Sequence, residues 1–463
     1  MFRLSKLAGL LLVVALLAGC ADDSGQPTNQ TAEPRLPEQE ASTTGVIPLD
    51  MRNAITPLGE EVMPIGAWVA PPPGGVFGHN NPSYISSESY KLAKEAGLNM
   101  VYGLYERAEM KLADVMQALD FADEHGLKYM VSDAAIQAGA DDPELMEQSL
   151  ESYIHHPAYI GNLAIDEPAT TYFESLGASH DNYKKLVPDK YFYVNLLPNY
   201  ASVNQLFVDK MDETGGLPTA EQYKTYLDQY VSAVKPTFIS YDYYPLHDDF
   251  PSMTNGYYEN MSVVRSTAEN NGIPFWVFIQ SSSWNSKARL PQKSETFWQV
   301  NTALAYGAKG IQYFTFWCPY EDGFTGGMIS RDGERTPIYY DTQEMNEHIA
   351  AIDHILMRSG FKGVMVHGDS PVPVPEEDRL AEAYKELERL EGDTPIIAGV
   401  FDYNGSTVLY VVNNTIDQDG EVTLHFAEPV ELELYQQTQK HHKAGQSLSL
   451  QLAAGEGVLI AIR

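Results

Sequence analysis

Cysteine is almost absent from this chain of 463 residues, which has only Cys20 and Cys318. No disulfide framework is therefore expected to hold the fold. Positive charge is scarce too: 30 Lys and Arg stand against 63 Asp and Glu, a formal net charge of −33. Long-range repulsion of that size excludes nucleic acid and other polyanions as the main ligand and leaves a neutral partner, although the same acidity also fits a salty habitat. No His or Cys cluster has metal-ligand spacing, since His155-His156 and His441-His442 read as surface pairs, so no metal is expected. A glycine fingerprint for dinucleotides is missing as well, because neither Gly66 nor the loop from Pro71 to Gly75 supplies one. No organic cofactor is expected either.

The longest apolar run near the start, Leu7 to Ala18, follows Arg3 and Lys6 and is too short to span a bilayer comfortably, but it has the length of a secretion signal. It closes on Leu17-Ala18-Gly19-Cys20, which resembles the lipobox of bacterial lipoproteins. That resemblance implies lipidation at Cys20, with export and anchoring to the cell envelope on its periplasmic or cell-surface side. Residues 1–19 are then the signal peptide. Residues 20–57, rich in Asp, Glu, Ser, Thr, Gln and Pro at their start, read as a disordered tether. Cys318, in an apolar run, reads as a buried and inert thiol.

From about residue 60, short apolar strands alternate with amphipathic helices. The strands read as Val62–Pro71, Leu98–Tyr105, Leu127–Asp133, Tyr159–Ile165, Tyr191–Leu197, Thr237–Tyr244, Pro274–Gln280 and Gly310–Trp317. Helices read as Ser86–Ala96, Lys111–His125, Pro143–His155, Thr219–Val234, residues 256–271, Pro291–Tyr306 and Asp341–Met357. Eight units with nearly continuous apolar strands predict a closed parallel (β/α)8 TIM barrel over 58–360. The connector 361–395 includes an acidic stretch, Leu380–Leu390, that reads as helical. Beyond it the hydrophobic period changes to two, with Asn-Gly, Asp-Gly and Ala-Gly turns, so 396–463 reads as a small antiparallel β-sandwich.

Barrel geometry gathers strand ends into one mouth, where catalytic groups collect. Ile165-Asp166-Glu167-Pro168 puts two adjacent carboxyls at one such end, and a partly desolvated Glu beside another carboxylate is suited to general acid work. The same rim holds Trp68, Asp133, Asn195, Asp242, Tyr244, Gln280, Trp284, Trp317 and Glu321. Carboxylates, amides and aromatic faces together suit a sugar, which needs stacking on its apolar face and paired hydrogen bonds to its hydroxyls. Asp133 can equally cap the segment after it. Trp284 and Trp317 can equally be core.

Gly307 to Trp317, then Gly326-Gly327-Met328 and Asp332-Gly333, resemble the last barrel strand and following loop of the family 42 β-galactosidases among the glycoside hydrolases. Asp166-Glu167-Pro168 resembles the Asn-Glu-Pro motif of their clan, and Tyr243-Tyr244-Pro245 and Ala454 to Leu459 fit the same pattern. The resemblance implies a glycosidase with Glu167 as proton donor to the leaving oxygen. Two departures stand out: Asp166 replaces the clan's Asn, and Gln280 occupies the place of its nucleophilic Glu. An amide cannot form a glycosyl ester, which leaves three readings. An inverting enzyme would use Asp242 or Asp133 as base, about 6.5–9.5 Å from Glu167. A substitute nucleophile, Asp242 or Glu321, would lie about 5–5.5 Å away. The third reading is a lipid-anchored protein that binds carbohydrate without cleaving it.

Overall fold

A computed structural model describes residues 58–59, 61–107, 110–208, 215–248, 256–284, 288–381 and 383–463; the leader, Cys20 and the tether lie outside them. The strands of the first half are β1 Ile65–Trp68, β2 Met100–Tyr102, β3 Lys128–Ser132, β4 Tyr159–Asp166, β5 Tyr191–Leu196, β6 Ile239–Asp242, β7 Phe275–Gln280, β8 Ser282–Trp284, β9 Ile311–Phe314 and β10 Phe324–Gly326. Strands β1 to β7 and β9 close into a barrel whose neighbours all run parallel. The apolar runs are continuous because barrel strands are covered on both sides: all six residues of β5 and of β7 are buried. Strands β8 and β10 form a separate two-stranded ribbon, with Phe324 opposite Trp284.

The helices form where their periodicity and caps predict. Ser86, for example, accepts from the Ser89 amide and opens the helix Ser87–Glu95. Two short helices, Ala134–Ala138 and Val203–Val208, escape the sequence reading, and so does the longer Phe173–Leu186. Its Gly177 interrupts the apolar stripe, yet a Cβ there would come within 2.3 Å of the Ala233 carbonyl oxygen, so the glycine lets two helices pack closely.

The last third contains β11 Gly360–His367, β12 Leu387–Gly392, β13 Ile396–Tyr403, β14 Ser406–Asn413, β15 Gly420–Gln436, β16 Gln439–Leu452 and β17 Gly457–Ile462. They make one seven-stranded sheet in which all pairs are antiparallel. Segments Glu421–Phe426 and Val430–Tyr435, each of which has the alternating pattern of a separate strand, are two halves of β15, separated by a register break against β16. Leu424 and Phe426 from one half share a core with Leu432 and Leu434 from the other, so the sheet folds over on itself into a sandwich. The expected connector is in fact part of this sheet, through β11 and β12. The expected helix over Leu380–Leu390 does not form among the described residues: a turn at 385–386 leads into β12, where Leu387 and Leu390 are buried in the sheet core and the intrinsic helix preference of Glu and Leu gives way to packing.

The sheet is built onto the barrel. Helix Lys293–Ala305 is buried almost all round because β7 covers one side and the sheet the other. Asn301 bridges the two, donating to the Gly455 carbonyl (2.8 Å) and accepting from the Tyr410 hydroxyl (2.7 Å). Trp298 donates to Asn414 (2.9 Å). At Gly399 a Cβ would stand 2.0 Å from the Ala305 carbonyl oxygen, so backbone meets backbone there.

Candidate active site

The barrel interior carries a polar column. Gln312 of β9 accepts from Tyr102 and Tyr193 (2.7 Å each) and donates to Ser240 (2.9 Å). Ser240 donates to the Asn195 carbonyl oxygen (3.0 Å), which fixes the Asn195 amide with its nitrogen toward the mouth. That nitrogen donates to Asp242 (3.0 Å) and to Asp166 (3.2 Å). A chain of satisfied hydrogen bonds inside a low-dielectric barrel thus positions two carboxylates at the ends of β6 and β4.

Glu167 follows directly on β4. The strand slips register against β5 between Leu163 and Ile165, and Glu167 takes a left-handed backbone, φ 50°. Such a backbone costs a non-glycine residue roughly 1–2 kcal/mol. The flanks hold it in place: its amide donates to the Asn195 carbonyl (2.9 Å), and the Pro168 carbonyl accepts from Tyr226 (2.8 Å). A register slip followed by this turn aims the side chain away from its strand's own alternation, toward Asp242. The Glu167 and Asp242 carboxyls are hydrogen-bonded to each other.

Burial pushes the Glu167 carboxyl well above the usual carboxylate range, and the charges of Asp242 and Asp166 push it further. Asp242, 2% exposed, is pushed up to about 8, first by burial and then by Asp166, while the Asn195 amide works in the opposite direction. Both shifts favour a proton on each carboxyl near neutral pH, with one proton left between them as pH rises past about 8. Their contact is closer than either separation expected for Asp242 as base or as nucleophile, so neither two-carboxylate arrangement across a sugar is present between this pair.

Aromatic rings wall the pair. Tyr244 lies 4.7 Å from Trp284 and 5.4 Å from Phe314 between ring centroids, and Trp68 lies 6.2 Å from Phe314 and 6.3 Å from Phe278. Tyr200, which sequence reasoning missed, packs on Tyr243 at 4.9 Å. Burial and the nearby carboxylates hold the Tyr200 and Tyr244 hydroxyls protonated as donors. The Trp68 indole N–H is buried and finds no acceptor among the described residues.

Other expected site residues have different work. Asp133 caps helix Ala134–Ala138, accepting from the Ala135 amide (2.9 Å), Ser149 (2.5 Å) and Tyr153 (2.6 Å), so it is a structural acceptor rather than a base. Gln280 is fully buried and faces backbone rather than a ligand. It accepts from the Leu246 amide (3.0 Å) and donates to the Leu246 and Arg289 carbonyls (3.1 and 2.9 Å), tying two loops at the mouth together. Trp317 is core, 1% exposed and 4.6 Å from Tyr84. Glu321 stands in the loop beside Tyr105 and Arg331. Cys318 is buried and its thiol is pushed up by burial, as an inert cysteine should be. Among the described residues no group of three or more His, Cys, Asp and Glu side chains is arranged to hold a metal ion.

Comparison with known proteins points to one group of barrels. The model of glycoside hydrolase family 42, described as β-galactosidase, matches residues 209–352, a span that contains Asp242 and Gln280 but begins after Glu167. No protein with a curated description matches the chain in sequence. Among solved structures, a β-galactosidase from Bacillus circulans sp. alkalophilus superposes with a TM-score of 0.53 at 8% identity, covering 81% of this chain and 96% of that one. A family 42 β-galactosidase from G. stearothermophilus, solved as a catalytic mutant, gives 0.52 at 9%, covering 81% and 95%. A family 5 glycoside hydrolase from Bacteroides vulgatus gives 0.51 at 11%, covering 87% and 88%. At such identities the likeness is one of fold, a glycoside-hydrolase TIM barrel with an attached β-domain.

Proposed function

We propose that this protein is a glycosidase acting on a neutral carbohydrate, with Glu167 as the proton donor to the glycosidic oxygen. The observation that carries this reading is the contact of Glu167 with Asp242 at the mouth of a glycoside-hydrolase barrel, beside Asp166 and Asn195. A carboxyl that keeps its proton at neutral pH is what a leaving alkoxide requires. Asp242 raises the affinity of Glu167 for that proton, Asn195 holds Asp242 and Asp166 in place, and Tyr200, Tyr244, Trp284 and Trp68 offer stacking faces and donors for a sugar ring. The test is Glu167→Gln, assayed by release of reducing ends from a panel of neutral oligosaccharides. Loss of hydrolysis with sugar binding retained supports the assignment, and full activity in the variant refutes it.

The wiring of Gln280 favours a second reading, since the position of the clan's nucleophile is committed to backbone contacts. A protein that binds sugar without cleaving it would bind members of the same panel and release no reducing ends from any of them. On either reading we propose that the chain is exported and held at the cell envelope by a lipid on Cys20. Palmitate labelling that disappears in Cys20→Ala supports the anchor, and labelling unchanged in that variant rejects it.

A further inference from the structure

We propose that the substrate brings its own nucleophile: it is a 1,2-trans glycoside of an N-acetylated amino sugar, whose C2 acetamido oxygen attacks C1 in place of a protein carboxylate. This rests on the glycosidase reading above and names the substrate class of that same site. Three observations lead to it.

First, the position at the end of β7 holds an amide whose oxygen and nitrogen are both bonded to backbone, so it supplies no attacking group. Second, the acids that do meet at the mouth lie on one side. Glu167 touches Asp242, and Asp166 shares the Asn195 amide with Asp242. A base that activates water from the far face of a sugar needs about 6.5–9.5 Å from the acid, and a carboxylate nucleophile about 5–5.5 Å; neither fits two groups in hydrogen-bond contact. Third, this cluster of Glu167, Asp242 and Asp166 stands beside an aromatic wall formed by Tyr244, Trp284, Phe314 and Trp68. Those are the surroundings an acetamido group asks for: a carboxylate for its N–H, and apolar rings against its methyl. The substitution of Asp166 for the clan's amide supplies an acceptor for an N–H where an amide nitrogen would offer a donor to a hydroxyl.

The reaction balances without a cofactor. Glu167 gives its proton to the glycosidic oxygen as the C1–O bond breaks and its electron pair leaves with that oxygen. The acetamido carbonyl oxygen bonds to C1 from the opposite face, closing a five-membered oxazolinium ring whose positive N–H lies against Asp166. Water then adds its oxygen to C1 and gives a proton to the Glu167 carboxylate, while the ring C1–O bond opens and the acetamide is restored. The anomeric configuration is retained.

The test uses the whole mature protein and para-nitrophenyl β-glycosides of glucose, galactose, N-acetylglucosamine and N-acetylgalactosamine. At least one N-acetyl glycoside should be cleaved with kcat/KM at least about a hundredfold above its hydroxyl counterpart. Its kcat should fall stepwise as the acetyl group is replaced by mono-, di- and trifluoroacetyl, because each fluorine weakens the attacking oxygen. A sugar-fused methylthiazoline, which mimics the closed ring, should inhibit competitively. In Asp166→Asn, kcat on the N-acetyl glycoside should fall at least about tenfold. Equal or faster cleavage of the hydroxyl glycosides, or a flat fluorine series, overturns the inference and leaves the glycosidase reading standing. Hydrolysis of none of these glycosides, and of no neutral glycan in the wider panel, overturns both.

Discussion

Two buried carboxylates, Asp242 at the barrel mouth and Glu433 in the C-terminal sheet, are 2% and 5% exposed, yet their acidities move in opposite directions. Glu433 is held down to about 2 by hydrogen bonds from Lys440, Tyr435 and Arg463, which outweigh its burial. Asp242 has Asn195 as its neutral donor and two further acids as neighbours, and rises to about 8. Burial alone therefore decides nothing, and the sign comes from the company the group keeps. In the sheet a charge is neutralised for stability. At the mouth the carboxyl keeps its proton instead, and a fold keeps such a cost where the group has work to do.

The sharpest way to break this contrast is to remove the transferable proton. Glu167→Gln keeps the shape and should cut turnover about a thousandfold in steady-state assays, with circular dichroism unchanged. Next in size is Gln280→Glu. If the amide is a brace between loops, a carboxylate facing the Leu246 and Arg289 carbonyls should cost about 3 kcal/mol in urea unfolding and add no glycosidase activity. A rise in activity would instead restore a protein nucleophile and weaken the contrast drawn here.

Asp242→Asn tests the electrostatic half. Removing the neighbouring anion lets Glu167 lose its proton earlier, so the alkaline limb of kcat against pH should move down by about one unit. Stability should respond too. Asp242 binds its proton more tightly folded than unfolded, so its contribution is complete below an unfolded value near 3.8 and is lost as pH rises toward about 8. The Asn variant should lack that decline and unfold at higher temperature than the parent at pH 9. Glu433→Gln is the mildest and opposite case. Glu433 stabilises the fold above its unfolded value near 4.5, and that stability is lost as pH falls toward about 2. The variant should lose about 1 kcal/mol at pH 7, with the deficit vanishing in acid and activity at pH 7 unaffected.

The barrel was legible because its strands need no polar face, and their apolar runs with terminal carboxylates or amides stand out between amphipathic helices. Stretch 387–392 was not, since glutamate and leucine fit a helix as well as a strand that alternates only weakly, and the long-range pairing with β15 decides the matter. At the mouth, Asp166, Glu167, Asn195, Asp242, Tyr244, Trp68 and Trp284 come together as their strand ends suggest. Asp133 and Gln280 do not join them, because a strand end also has caps to satisfy and loops to hold, and one residue in a sequence does not say which. Polar residues within buried runs, Gln312 in Gly310 to Trp317 and Ser240 in Thr237 to Tyr244, were the readable trace of the column under the site.

The close approach of Gly399 to Ala305 has a thermodynamic corollary. Where two backbones touch with no side chain between them, neither surface is finished without the other, and the buried helix Lys293–Ala305 belongs as much to the sheet as to the ring of strands. The described portion of the chain should therefore melt in a single step, and a bulky residue at 399 would cost the molecule its barrel along with its sheet.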